Sequence, residues 1–449
     1  MSQLKIDAAG AGAGKTTKLA EKIIERYRQG KEENIYCVSF TNASVSIIVE
    51  KLKEYYYEIP ENIKVSTIHS FLNSELIAPY HFLLYKKQFH SISNVELSHV
   101  PKYKTSQISR LERRGCLHVD AFTKKAKYVV CEKSGDKKQQ KIDREKICSL
   151  ISSYMGVIYV DEAQDIDTEF KQVLIKLDEL GIDIELIGDP KQDLKGRGGL
   201  VNLITEYQAD VRYIQECYRC PVEHLNFSNK YVLEREQQFS PENKTGILQC
   251  IFESDLIDIG IFINEKNYDL KYIYQKDEQF DTHFKLSKDP LFNELRIIIS
   301  DYEDGSIDDI STIRQASKLA YELISLVTEY NYTQKAAISK KIPFGSIQKD
   351  EYARLLEALE SETNEVDGNK ITVRSIEAIK GLEEEKCLFI VTPEIAPYLL
   401  KLKTDMNKMM ASLYVALTRS QKELDILVTR KVEEQFGREV FETILNATI

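Results

Sequence analysis

The chain has 449 residues, 43% of them hydrophobic and 29% charged, with a formal net charge of -10. That length calls for two or more domains, and no apolar run approaches the ~20 residues of a membrane helix. No signal-peptide pattern precedes the first strand, so a cytoplasmic protein without a membrane partner is expected. The acid excess argues against a protein that coats nucleic acid with its whole surface.

In chain order, a short apolar strand through Leu4, Ile6 and Ala8 runs into Ala9, Gly10, Ala11, Gly12, Ala13, Gly14, Lys15, Thr16 and Thr17. A helix is predicted over residues 16–29. Small residues between strand and helix let backbone N–H groups turn inward and cradle phosphates. The helix N-terminus adds its positive dipole end, Lys15 reaches the β and γ phosphates, and the Thr16 hydroxyl suits Mg²⁺. ATP with Mg²⁺ is the expected ligand, with residues 9–17 as its loop; Ala9 stands where the strict pattern has glycine.

Residues 35–40 read as a strand, and 44–57 as a helix with Ile48 and Leu52 on one face; 64–67 form another strand. From 73 to 153 the periodicity loosens and the chain turns basic. Residues 102–146 hold fourteen Lys/Arg against six Asp/Glu, a local +8 that leaves -18 elsewhere. Lys124, Lys125 and Lys127 are its centre, and it reads either as a DNA-backbone patch or as a solvated face. Strands then recur at 157–161, 184–188 and 211–215, with a helix between them burying Phe170, Val173, Leu174 and Leu177. Strands alternating with helices imply a parallel, doubly wound sheet with ligands at the strand C-termini.

The second half, from about Tyr218, carries predicted strands at 247–252, 268–274, 295–300, 371–375, 387–391 and 424–428, and a long helix over 313–330. Residues 240–369 hold no recognisable chemistry. Eight cysteines are scattered, with Cys217 and Cys220 the only close pair. They read as free thiols in a reducing compartment rather than as a zinc site, for which a second pair is missing.

Asp161 and Glu162 close the hydrophobic strand Ile158-Tyr159-Val160. With a phosphate loop in the same sheet, Asp161 is the expected Mg²⁺ ligand and Glu162 the base that orients and deprotonates water; a helix cap is the plainer use of such a pair. Gln164 and Asp165 follow on the turn. Arg219 and Arg419 each stand just past an apolar stretch, the residue type that stabilises charge spreading over a transferring phosphoryl group.

The order of these motifs resembles that of the UvrD/Rep-like superfamily 1A DNA helicases. Residues 9–16 look like motif I, 39–43 like motif Ia, 66–71 like motif Ib and 161–165 like motif II. Residues 188–192 look like motif III, 216–219 like motif IV, 379–383 like motif V and 414–419 like motif VI. The resemblance implies an α/β fold of two RecA-like domains with parallel sheets, a basic insertion in the first and a small one in the second. The implied boundaries are 1–72 with 154–212 for the first domain, 73–153 for the basic insertion, and 213–449 for the second domain with a reduced insertion.

The implied roles are Gln192 on the γ-phosphate, Arg219 and Arg419 as arginine fingers, and Glu383 on the nucleotide sugar. Phe40, Thr41, Asn42 and His69 lie on the DNA side in the family. The implied partner is single-stranded or forked DNA, moved 3′ to 5′. Four features depart from the family. Its upstream adenine-reading glutamine is absent or replaced by something near Gln3. The turn from Asp193 to Arg197 lacks the DNA-stacking aromatics. Glu377 replaces the motif V histidine, and little chain remains for the second insertion. In its shortness the chain also resembles the helicase-like subunits of Gabija-type anti-phage systems, which adds a nuclease partner to the expectations, in defence or DNA repair. A DNA-sensing ATPase that regulates such a nuclease without unwinding is the competing expectation. An ABC- or AAA-type ATPase fits less well, lacking this motif order.

Overall fold

The computed structural model describes residues 4–30, 33–95, 97–98, 100–282, 290–302, 310–328, 330, 332–342, 347–363 and 370–446. Gln3 lies outside them.

The first sheet has six parallel strands: β1 (Lys5–Ala9), β2 (Asn34–Ser39), β3 (Ile63–Thr67), β4 (Met155–Val160), β5 (Asp183–Gly188) and β6 (Val211–Ile214), in the order β3-β2-β4-β5-β1-β6. β2 and β4 are apolar along nearly their whole length because helices cover both faces of a parallel sheet. Ile35, Cys37, Val157 and Tyr159 pack with Leu19, Ile23, Ile48 and Leu52 on one side. The last two pairs belong to α1 (Lys15–Arg28) and α2 (Asn42–Tyr55). Since every strand points the same way, the loops after β1, β4 and β5 share one edge, and β5 lies between the other two. That shared edge gathers residues 10–15, 161–165 and 189–192.

The second sheet is also parallel: β7 (Ile247–Phe252), β8 (Leu270–Ile273), β9 (Arg374–Ser375), β10 (Glu384–Val391) and β11 (Ser420–Val428), ordered β9-β8-β10-β11-β7. Tyr272, Phe389, Leu413, Leu417 and Ile426 are in its core. Glu384 pairs in register with Ser420. The residues just before them, Glu383 and Arg419, therefore stand side by side at the N-terminal edge of neighbouring strands.

Both sheets belong to one compact unit, residues 1–76, 126–283 and 370–449; residues 77–125 and 284–369 form a second. In the second unit the helices Pro290–Tyr302, Ile310–Thr328 and Lys349–Thr363 close over Leu295, Ile298, Ala320, Leu323, Leu355 and Leu359. A buried network ties them to the helix Pro101–Arg113: Arg354 Nε donates to Glu294 Oε1 at 2.7 Å, and Gln107 Nε2 donates to Glu294 Oε2 at 3.0 Å.

Residues 295–300, expected as a strand, lie inside the helix Pro290–Tyr302. The run Ile297-Ile298-Ile299 suggests β structure by its branching. The burial of Leu291, Leu295 and Ile298 follows instead the i, i+4, i+7 spacing of one helix face.

Candidate nucleotide-binding cleft

The loop after β1 owes its shape to its glycines. Gly12 and Gly14 have φ of +66° and +69°, the left-handed region that favours glycine, and Gly14 caps α1. Space adds a second demand. A Cβ at Gly12 would stand 2.5 Å from Arg219 Cβ, and one at Gly10 would stand 2.1 Å from Gln238 Cδ. Ala9, Ala11 and Ala13 are buried beneath the loop. Lys15 Nζ donates to the Gly10 carbonyl at 3.1 Å. Thr16 is half-buried and Thr17 exposed in the first turn of α1.

Asp161 follows β4 and is 2% exposed. Its Oδ2 accepts from Ser39 Oγ at 3.5 Å, and its buried Oδ1 has no hydrogen-bond partner. Burial first, then the neighbouring Glu162, raise this carboxyl to about 7, against the pull of Lys15. Glu162 adopts a left-handed backbone at φ +54° and accepts from Gln164 Nε2. Gln164 Oε1 in turn accepts from the Asp189 N–H at 3.0 Å, linking the β4 and β5 loops.

Asp189 is wholly buried. Burial opposes its charge, yet Lys191 and Lys15 together hold it below the usual carboxylate range. Lys191 Nζ lies 3.1 Å from Asp189 Oδ1, and Gln192 Nε2 donates to Asp189 Oδ2 at 3.0 Å.

The second sheet supplies the opposite wall. Arg219 forms an ion pair with Glu383 and donates from Nη1 to the Thr418 carbonyl at 3.4 Å. Arg419 is buried, donating from Nε to the Val415 carbonyl at 3.0 Å and from Nη1 to the Leu382 carbonyl at 3.3 Å. Burial, with Arg219 close by, lowers its proton affinity. Arg419 Nη2 also donates to the Thr418 hydroxyl at 3.2 Å, so the two arginines meet at Thr418, and the Arg219 Cβ stands against the phosphate loop at Gly12.

Two residues without an assigned role in the sequence complete the junction. The Ala11 N–H donates to the Tyr414 hydroxyl at 3.2 Å; that hydroxyl donates to Gln238 Oε1 at 2.8 Å; and Gln238 Nε2 donates to the Ala11 carbonyl at 2.9 Å. Burial pushes the Tyr414 phenol well above its usual range, so it remains a donor. Asn229 holds the backbone of Gln238 through both of its amide atoms, at 2.7 and 2.8 Å. Tyr414 sits inside the motif VI segment, but Gln238 lies 227 residues from Ala11 with no local pattern to mark it.

Phe40 is half-buried after β2; Thr41 caps α2 by accepting from the Ser44 N–H at 3.1 Å; Asn42 and His69 are exposed. On the helix Phe122–Val130, Lys124 is exposed, Lys125 pairs with Glu112 at 2.8 Å, and Lys127 lies over the Tyr128 ring at 5.3 Å.

Residues 2–196 match the model of a protein family described as an AAA domain. The sequence expectation that an AAA-type ATPase fits less well is at odds with that description, and the matched segment holds the first five of the eight motif-like stretches. No curated protein matches the chain. Among solved structures, the chain is similar to an arterivirus nonstructural protein 10, a helicase in complex with DNA. That likeness has a TM-score of 0.36 and 10% identity, over 94% of this chain and 60% of that one, which is too weak to bear on function. This chain thus spans less than two thirds of that protein. The family match and the glycine loop support a P-loop nucleotide-binding domain over residues 2–196. Among the described residues no helix is long and apolar enough to cross a membrane.

Proposed function

We propose that the protein is an ATP-driven translocase on single-stranded DNA, a DNA helicase of the UvrD/Rep superfamily 1A type working 3′ to 5′. The observation that supports it best is the contact of Arg219 with the phosphate loop at Gly12, beside Thr418 and Arg419. A nucleotide on that loop would meet charge from both sheets, so its hydrolysis would change how the sheets are held together.

The residues fit a magnesium nucleotide. The unpartnered, buried Asp161 Oδ1 is a ready cation ligand, and the Thr16 hydroxyl stands at the start of α1 as its second. Bound Mg²⁺ would neutralise charge on the β and γ phosphates. Lys15 would leave the Gly10 carbonyl for the phosphates, Glu162 would take the proton of the attacking water, and Gln192 would face the γ-phosphate. Arg219 and Arg419 would stabilise the transferring group, and Glu383, released from Arg219, would meet the sugar. Phe40, Thr41, Asn42 and His69 would line the DNA path, with the basic 102–146 segment as a backbone contact. The 1A and 2A domains of the family would correspond to the two sheets.

Turnover of ATP with and without single-stranded DNA tests this reading, with Lys15→Ala as control. Turnover that DNA leaves unchanged, or that survives Lys15→Ala, would overturn it.

A second reading, a DNA-sensing ATPase that controls a partner nuclease, as in Gabija-type defence, has one observation in its favour. Leu194, in the turn where the family displays base-stacking aromatics, is 4% exposed and packs into the second core. Co-purification with a nuclease and absence of strand separation would select it.

A further inference from the structure

Cys217 and Cys220 bracket Arg219 in the segment that joins the two walls of the cleft. Both side chains are buried and belong to one small apolar cluster with Leu225. The Cys220 N–H donates to Cys217 Sγ at 3.4 Å. Cys217 Sγ would stand 3.0 Å from a Cβ at Gly12, so it abuts the phosphate loop. Cys220 Sγ lies 3.7 Å from the Thr418 carbonyl, the acceptor that Arg219 uses.

We propose that Cys217 and Cys220 form a reversible disulfide, a peroxide-sensitive modification site that disables Arg219. Its effect on turnover rests on the function proposed above; its formation does not.

The environment suits Cys217 as the attacking sulfur. The Cys220 thiol is the first influence lowering its proton affinity; burial opposes this, and the N–H groups of Cys220 and Arg219 and the Arg219 charge add to the lowering. Thiolate character beside N–H donors and a cation marks a reactive cysteine. Cys220 is pushed the other way, up, by the same contact and by burial, so it keeps its proton.

The chemistry balances with hydrogen peroxide as oxidant. The Cys217 thiol gives up its proton, the thiolate attacks one peroxide oxygen, the O–O bond breaks, the departing hydroxide takes that proton to become water, and Cys217 becomes a sulfenic acid. Cys220 sulfur then attacks Cys217 sulfur, the S–O bond breaks, and the thiol proton leaves with the oxygen as water. Two thiols are oxidised, one peroxide is reduced, and two waters form in all; a dithiol reverses the reaction.

Both sulfurs are buried. The peroxide reaches Cys217 when Gly12 withdraws, as nucleotide exchange through this cleft would require. Bringing the sulfurs to a bond length of ~2.05 Å turns Cys220 away from Thr418 and tightens the four-residue loop that carries Arg219. The arginine then leaves its place against the phosphate loop.

The experiment treats the reduced, full-length protein with hydrogen peroxide and then alkylates the remaining thiols. The expected result is a peptide spanning residues 217–220 that is two hydrogens lighter and carries no alkyl group. ATP turnover should fall roughly tenfold or more, as for loss of an arginine finger, and return with dithiothreitol. Cys220→Ser should give no such bridge, leaving on Cys217 a sulfenic acid that a dimedone-type trap marks in place of the mass loss. Full alkylation of both sulfurs at peroxide levels that oxidise the half-buried Cys131 would overturn the proposal, as would a bridged protein with undiminished turnover. If the reduced protein hydrolyses no ATP, the functional reading falls, while the peptide mass still decides whether the bridge forms.

Discussion

Lys380 Nζ lies 2.7 Å from Asp165 Oδ2, joining the loop after the carboxylate strand to the approach to β10. The carboxylate is 9% exposed and the lysine side chain 20%, so the pair is largely withdrawn from water. The Arg197 guanidinium reaches the same residue, donating to the Asp165 carbonyl at 2.6 Å. Asp165 is thus a fixed point between the two sheets.

Replacing Lys380 with methionine keeps the stem and removes the charge. Asp165 is then left a buried carboxylate without its cation. The expected cost is about 1–3 kcal/mol of stability, read as a lower urea midpoint with unchanged slope. Asp165→Asn in the same background should recover most of the loss, because the uncompensated charge is gone. No change in midpoint for Lys380→Met would mean that the pair contributes nothing.

The Asp161 carboxyl, raised to about 7, gives a pH dependence with a definite sign. Between its unfolded value, about 4, and about 7, the folded protein binds more protons than the unfolded one at this site. Stability from this group is therefore present below the unfolded value and lost as pH rises through 7. Mg²⁺ should reverse the trend, since it binds the ionised form and releases a proton on binding. Thermal melting at pH 5 and pH 8, with and without MgCl₂, checks this. Asp161→Asn should melt higher than wild type at pH 8 without Mg²⁺ and lose the response to the cation. A larger Mg²⁺ stabilisation at pH 5 than at pH 8 would contradict the assignment.

Glu162→Gln keeps the shape and loses the basicity. Nucleotide binding should persist while turnover drops by ~10²-fold or more, the usual contribution of a general base. Fluorescent-nucleotide titration beside steady-state kinetics separates the two. Loss of binding in step with turnover would make Glu162 structural, through its contact with Gln164.

The ring formed by Ala11, Tyr414 and Gln238 holds the phosphate loop against the second sheet. Gln238→Ala opens a gap over Gly10 and frees the Ala11 carbonyl. Tyr414→Phe removes only the hydroxyl. Both should lower kcat more than they raise KM, by about tenfold for a mispositioned loop. Gln238→Glu should recover part of the loss, since its carboxylate can still accept from Tyr414. Equal effects on KM and kcat in all three variants would point to a general loss of packing.

The first sheet and the cleft were readable because their signals are local. A glycine loop, paired carboxylates after an apolar strand and arginines past apolar stretches each span a few residues, and a parallel sheet must bring them to one edge. The helix Pro290–Tyr302 was not, because the isoleucine run 297–299 carries β-branching and helical spacing at once, whereas the long helix expected over 313–330 stands at Ile310–Thr328. Gln238 was invisible for another reason. Its role comes from a contact across 227 residues, and a lone glutamine has no pattern. The sequence also could not say that Lys125 is engaged by Glu112, which leaves Lys124 the more exposed member of the expected DNA patch.

The last prediction concerns strand separation. The turn after β5 buries Leu194 in the second core. Asp193 accepts from the N–H groups of Arg197 and Gly198 at 3.1 and 2.7 Å, so the turn is closed upon itself. It offers no aromatic platform, although base stacking on one is worth roughly 1–3 kcal/mol per base. Separating a base-pair step costs about 1.4 kcal/mol on average. A grip weakened by as much as the work per step should slip before it advances. The protein alone is therefore expected to show DNA-stimulated ATP turnover with weak unwinding of a forked duplex in the presence of a trap strand. Leu194→Tyr should not rescue unwinding, because that position is buried; an aromatic at the exposed Lys195 should improve it. Processive unwinding of tens of base pairs by the wild-type chain without a partner would sink this account.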